Sequence, residues 1–131
     1  MMGEKTDWEN LFKIKLGNSD EAFQKHEVVK LLVVMKILQK HPKRNWVRIY
    51  TEFTLENGLR PDIYFENLRE KSVIVYEIQK QLSPEWLKTK TKQYKDYVVP
   101  LFLPIDFIPI PLKECPDNLD EISKWLDKYI F

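Results

Sequence analysis

Three carboxylates in this chain combine residue type and spacing in a way that can do chemistry. Asp62 follows Pro61 directly and opens a short apolar segment. Glu77 sits inside the run Ser72–Gln79, SVIVYEIQ, which otherwise reads as a buried strand. An isolated charge in such a run is costly, so the carboxylate must be paired, protonated or bound to a cation. Two carboxylates at the ends of neighbouring strands can share a hard divalent ion. Mg²⁺ takes one or two protein carboxylates and fills its shell with waters and phosphate oxygens. The alternative for Glu77 is a salt bridge within a core strand. The third acid, Glu27, falls on one helical line with Phe23, Leu31, Val34 and Leu38. It is either a boundary residue reaching solvent or Lys30, or a further acidic group aimed at the ion.

The elements that must position these groups can be traced in order. Thr6–Glu9 has capping-box spacing ahead of Trp8, Leu11 and Phe12, which predicts a short helix over 6–16. A second helix is expected from about Ser19 to Lys40, stopping before Pro42 because the residue preceding a proline disfavours helix. Trp46–Glu56 alternates as a strand, and Asn57-Gly58 is the pair favoured in a type I′ hairpin turn. Pairing Glu56 with Leu59 would set Asp62 on the face of Phe53 and Ile63 on that of Glu52. That mismatch predicts a bulge or bend near Pro61. In the strand Ser72–Gln79, Val73, Val75, Glu77 and Gln79 share one face, and Ile74, Tyr76 and Ile78 the other. Ser83-Pro84-Glu85 opens a helix expected to reach Tyr97. Trp86, Lys90, Gln93 and Tyr97 lie on one line of it, and Leu87, Tyr94 and Val98 form an apolar stripe. Strands follow near Leu101–Leu103 and Asp106–Ile110, where prolines argue against central positions. A closing helix spans 117–130.

Composition bounds the class. A chain of 131 residues, 44% hydrophobic and 31% charged, is ordinary for a single domain over 1–131, with its core at 19–111. The lone Cys115 excludes an intramolecular disulfide and fits a reducing, cytoplasmic setting. Two histidines, His26 and His41, are too few for a His-rich metal site. LLVVMKIL is short and carries Lys36, so no membrane span is expected, and MMGEKTDWEN lacks a signal-peptide core. The formal charge of +1 requires any nucleic-acid binding to come from local clustering. Helix, three strands, helix, strand and helix give a mixed α/β or α+β domain, a central mixed sheet with flanking helices.

At Pro61-Asp62 and Glu77-Ile78-Gln79 the chain resembles the PD-(D/E)xK nuclease superfamily, in the variant with glutamine in the lysine position. Gln93-x-x-x-Tyr97 resembles the QxxxY motif of its RecB-like members, and Glu27 the first-helix glutamate of branches that include archaeal junction resolvases. The resemblance spans roughly Ser19–Leu103 and implies the restriction-endonuclease-like αβββαβ core. It implies that Asp62, Glu77 and the Ile78 carbonyl bind Mg²⁺ or Mn²⁺, with Glu27 completing an acidic cluster. The expected activity is hydrolysis of DNA phosphodiester bonds. Gln79 departs from the usual lysine and offers only a dipole; Lys90, one turn into the following helix, can supply the missing charge. Lys88, Lys90, Lys92, Gln93 and Tyr97 would contact DNA, unless the lysines are only a solvated face. The sequence leaves dimerisation open; a homodimer is one way for a domain this small to cut two strands. The alternative is a catalytically weak module of the same fold that binds DNA or a protein partner.

Overall fold

The computed structural model describes residues 21–43, 45–97 and 105–130. The helix expected over 6–16, the strand near Leu101–Leu103 and Val98 lie outside them. In chain order the elements are α1 (Glu21–Lys40), β1 (Val47–Thr51), β2 (Ile63–Asn67), β3 (Ser72–Gln79), α2 (Pro84–Lys95), β4 (Asp106–Pro111) and α3 (Leu119–Leu126). Short 3-10 turns cover Leu112–Glu114 and Asp127–Tyr129. The strands form one mixed sheet in the order β1-β2-β3-β4. Its first two pairings are antiparallel, and β3 with β4 is parallel. The protein is thus a mixed α+β domain with helices on both faces of the sheet. No helix among the described residues is long and apolar enough to cross a membrane.

Alternation along β3 creates two cores. Tyr76 and Ile78 face a cluster built with Val28, Val29, Val33 and Ile37 of α1 and Ile122 and Leu126 of α3. Val73 and Val75 face a second cluster with Leu55, Leu59, Tyr64 and Tyr94 of α2. The Tyr76 hydroxyl donates to the Tyr129 carbonyl at 3.0 Å and ties β3 to the carboxyl-terminal turn. α2 starts as expected, with the Ser83 hydroxyl accepting from the Trp86 amide. It ends at Lys95 rather than Tyr97.

The face that α1 buries differs from the expected one. Val29 and Val33 are fully buried and Ile37 nearly so, whereas Phe23 is 38% exposed and Leu31, Val34 and Leu38 are only half-buried. From Val28 to Leu38 the helix is apolar nearly all round, so periodicity does not select one line. The packed line is set by the sheet.

The β1–β2 connection also departs from expectation. The Gly58 amide donates to the Leu55 carbonyl at 2.9 Å, and the Leu55 amide to Leu59 at 2.7 Å. Gly58 has φ +88, while Asn57 keeps a negative φ. A type I′ turn needs positive φ at both central residues. Here Glu56 and Asn57 are the central pair and Gly58 follows in the left-handed region, the three-residue alternative. The extra residue moves the pairing by one. Leu55 lies opposite Leu59, the Glu52 amide donates to the Asp62 carbonyl at 3.1 Å, and Thr51 pairs with Ile63. This removes the parity mismatch without a bulge at Pro61. A bend does lie beside Pro61, at Asp62, and a second on the opposing strand: Glu52 has φ +55, and regular β structure stops at Thr51 rather than Glu56.

β4 contains Pro109 and Pro111 and lies at the edge of the sheet, where a proline nitrogen can face outward. The closing helix is shorter than expected. Asn118 caps it by accepting from the Asp120 and Glu121 amides, and α3 gives way to a 3-10 turn at Asp127.

Candidate active site

Proline ends β2, and beyond Tyr76 β3 continues with only β4 beside it. β2 and β3 are in register from Asn67↔Ser72 to Ile63↔Tyr76. One further step sets Asp62 opposite Glu77. With Pro61 unable to donate, the Asp62 side chain takes over: its Oδ2 accepts the Ile78 amide at 2.7 Å. Its Oδ1 lies 3.1 Å from His26 Nε2 on α1. Asp62 therefore caps the β2-side margin of β3 where β2 has stopped, and α1 reaches it through a histidine.

Glu77 lies on the α2 side of β3, with its side chain 14% exposed. Lys90 Nζ stands 3.6 Å from its Oε2. Neither that oxygen nor the fully buried Tyr94 hydroxyl has a hydrogen-bond partner. Burial raises the Glu77 pKa above the usual carboxylate value; nearby Tyr94 and Lys90 oppose the shift, and the Asp62 charge adds to it. The tyrosine hydroxyl is pushed up as well, first by burial and then by Glu77. Buried, and paired only with Lys90 at 3.6 Å, the Glu77 oxygen lacks the close partner that a cation would supply.

A chain of alternating charges continues on the α1 side. Glu27 Oε2 is 2.7 Å from Lys30 Nζ and Glu27 Oε1 is 3.7 Å from His26 Nδ1. Lys30 also approaches Glu52 at 3.4 Å, and Arg60 reaches the same carboxylate at 3.3 Å. The left-handed backbone at Glu52 turns its side chain into this chain. Glu27 thus meets the cluster through His26 and Lys30, without direct contact with Asp62 or Glu77. The His26 pKa is raised chiefly by its hydrogen bond to Asp62, against the opposing effect of burial.

Of the other expected site residues, Gln79 shares the Glu77 face and is half-buried, and Ile78 contributes its amide to Asp62. Lys88, Lys92 and Gln93 are exposed on α2. Tyr97 lies beyond the helix, and its hydroxyl accepts the Glu56 amide at 3.4 Å in the β1–β2 connection. The tyrosine that reaches Glu77 is Tyr94, four residues after Lys90. By sequence alone Tyr94 belongs to an apolar stripe, and His26 is only one of two scattered histidines. The i, i+4 spacing of Lys90 and Tyr94 is the signal that could have found the first. No local signal marks His26, which meets Asp62 only through the tertiary fold.

Among the described residues no three His, Cys, Asp or Glu side chains converge as a metal-binding group. The donor set is two carboxylates, which suits a hard ion that keeps most of its waters and does not suit a fully protein-enclosed site. Compared with protein-family models, curated proteins and solved structures, the chain finds no match.

Proposed function

We propose that the chain is a metal-dependent DNA nuclease of the PD-(D/E)xK type. The observation that carries this reading is the β2–β3 register, which brings Asp62 opposite Glu77 at the point where β2 stops. The helix, three-strand, helix, strand order of the domain supports it too. Asp62 and Glu77 would hold Mg²⁺ or Mn²⁺, with the Ile78 carbonyl as a further ligand. When bound, the ion would polarise the scissile phosphate and lower the pKa of an attacking water. Lys90 supplies beside Glu77 the positive charge that Gln79 lacks. His26 orients the Asp62 carboxylate, and Glu27 holds Lys30 against the same flank. Exposed Lys88 and Lys92 would lie along the DNA backbone.

The test is incubation of the purified chain with linear, circular and branched DNA, with and without Mg²⁺ or Mn²⁺. Metal-dependent cleavage that Asp62→Asn and Glu77→Gln abolish is the expected result. A second reading has its own observation: both Asp62 oxygens already have partners, and Glu77 faces an ammonium group. A DNA-binding module with no hydrolytic activity would keep that arrangement, and would bind DNA equally well with and without metal.

A further inference from the structure

Among the described residues β1 is an edge strand whose outward backbone groups have no partner. The Leu68 amide donates to the Trp46 carbonyl at 2.7 Å, and the Glu52 amide to the Asp62 carbonyl at 3.1 Å. Hydrogen-bonded positions alternate along an antiparallel pair. Arg48 and Tyr50, in register with Glu66 and Tyr64, therefore also turn their backbone towards β2. The amides and carbonyls of Val47, Ile49 and Thr51 face away from the sheet, and no described residue bonds them. Edge strands of folded proteins are usually blunted by a lysine, a proline, a bulge or a covering element. Val47–Thr51, VRIYT, holds no lysine or proline and pairs with β2 without a bulge.

The parity of those groups selects a register. An antiparallel second β1 centred on Ile49 sets Ile49 opposite itself and Val47 opposite Thr51. Every such rung joins two outward-facing residues, so all the free amides and carbonyls are bonded at once. A shift of two residues either way leaves one outward residue of each copy without a partner inside the strand. One of those shifts also sets Arg48 against Arg48, like charges directly opposite. In the register centred on Ile49, Arg48 falls opposite Tyr50 of the second copy. That pair carries no backbone bonds, so its side chains come closest. The Tyr50 ring is 38% exposed and is held by Phe53 at 5.1 Å and Tyr64 at 6.1 Å. Arg48 then stands between Glu66 on its own β2 and this ring, a cation against an aromatic.

We infer that β1 is a self-association surface: two copies join through antiparallel β1 strands centred on Ile49, extending the sheet across a two-fold axis. The occupant is a second copy because the strand complements itself. Val47–Thr51 supplies the donors, the acceptors, the cation and the ring, and symmetry brings each to its counterpart. The surface is independent of the nuclease reading, since it uses neither Asp62 nor Glu77.

The experiment is sedimentation velocity of the full chain from about 1 µM to about 1 mM, because a ladder of this length is a small interface. Wild type should pass from monomer to dimer within that range. Thr51→Pro removes an outward donor and no bond to β2, and should weaken the dimer by about tenfold or more. Tyr50→Lys sets an ammonium opposite Arg48 and should weaken it by about tenfold, once for each symmetric contact. Tyr50→Glu sets a carboxylate there and should associate at least as tightly as wild type. Circular dichroism checks that each variant is folded; the two Tyr50 variants decide the register even if Thr51→Pro does not fold. Hydrogen exchange by NMR at about 0.5 mM gives a second readout. The Val47, Ile49 and Thr51 amides should be protected in wild type and exchange fast in Tyr50→Lys, with Arg48 and Tyr50 slow in wild type. A wild type that stays monomeric to about 1 mM would overturn the inference and leave the margin to a strand of another protein. A dimer indifferent to a folded Thr51→Pro, or weakened equally by Tyr50→Glu and Tyr50→Lys, would overturn it too. So would outward amides that exchange alike in wild type and Tyr50→Lys.

Discussion

Replacing Asp62 by alanine removes an acceptor from the Ile78 amide, which donates to it at 2.7 Å on a residue only 5% exposed. A hydrogen bond to a charged acceptor contributes about 1.5–3 kcal/mol, and the amide left behind sits on a residue with little access to water. Loss of the partly buried His26 pair adds up to about 1 kcal/mol while the imidazole is protonated. Asp62→Ala should therefore destabilise the metal-free protein by about 2–4 kcal/mol, or about 6–12 °C in Tm for a chain of this size. Asp62→Asn keeps an oxygen for the amide and loses only the charge, so about 1 kcal/mol or about 3 °C is expected. The pH profile carries a second signature. The folded protein raises the His26 pKa above 6.5, mainly through Asp62. The stability this provides is complete below pH 6.5 and is lost as pH rises through the folded value. In Asp62→Asn that part of the slope should flatten. The assay is thermal melting by circular dichroism in EDTA from pH 5.5 to 8.5. Asp62→Ala melting within about 2 °C of wild type would refute the capping role.

Glu77 should behave in the opposite sense. Its pKa is raised in the fold by burial, so ionisation costs stability once pH climbs past the ordinary value of 4.5. Glu77→Gln should raise Tm at pH 7 without metal and leave it unchanged near pH 3.5; a lower Tm at pH 7 would contradict this. Glu52→Gly should hold or raise Tm by up to about 3 °C, because a left-handed non-glycine residue costs about 1 kcal/mol and the solvent-facing ion pairs of Glu52 return less. A clear drop would make the Glu52 side chain structural. The thiol of Cys115 is buried, with its pKa pushed up to about 11. It should resist a disulfide reagent at pH 8 until the chain is unfolded, whereas rapid modification of the native protein would show the carboxyl-terminal turn opening. Alanine at Lys88 and Lys92 should reduce the log–log salt slope of DNA binding by about 0.7–0.9 for each phosphate that is no longer neutralised. An unchanged slope would move the binding surface off α2.

How much of this was legible depended on how local each signal was. β3 could be read in full, because its alternation assigned Val73, Val75 and Glu77 to one face and Ile74, Tyr76 and Ile78 to the other. Ser83 and Pro84 fixed the start of α2 through cap chemistry within four residues. The buried line of α1 was not legible, since Val28–Leu38 offers apolar side chains in nearly every direction. The turn at Asn57-Gly58 was found but misassigned: a single glycine at positive φ serves both hairpin types, and the choice shifts the register by one residue. Asp62 and Glu77 stood out by chemistry. Their neighbours His26 and Tyr94 did not, because those side chains arrive from helices on opposite faces of the sheet.

The prolines of β4 bear on how copies of this domain can associate. A ladder held to β3 on one side leaves Pro109 and Pro111 turned outward, so that margin lacks two of the donors an added strand would need. The opposite margin, β1, has no partner strand among the described residues and is only five residues long, closed off by the bend at Glu52. Strand addition that requires both margins, the route to an open-ended fibre, is blocked on the proline side. Pairing β1 with β1 of a second copy consumes the one usable margin among the described strands of each and stops at two. Among the described strands, the geometry permits a closed pair and opposes a growing stack.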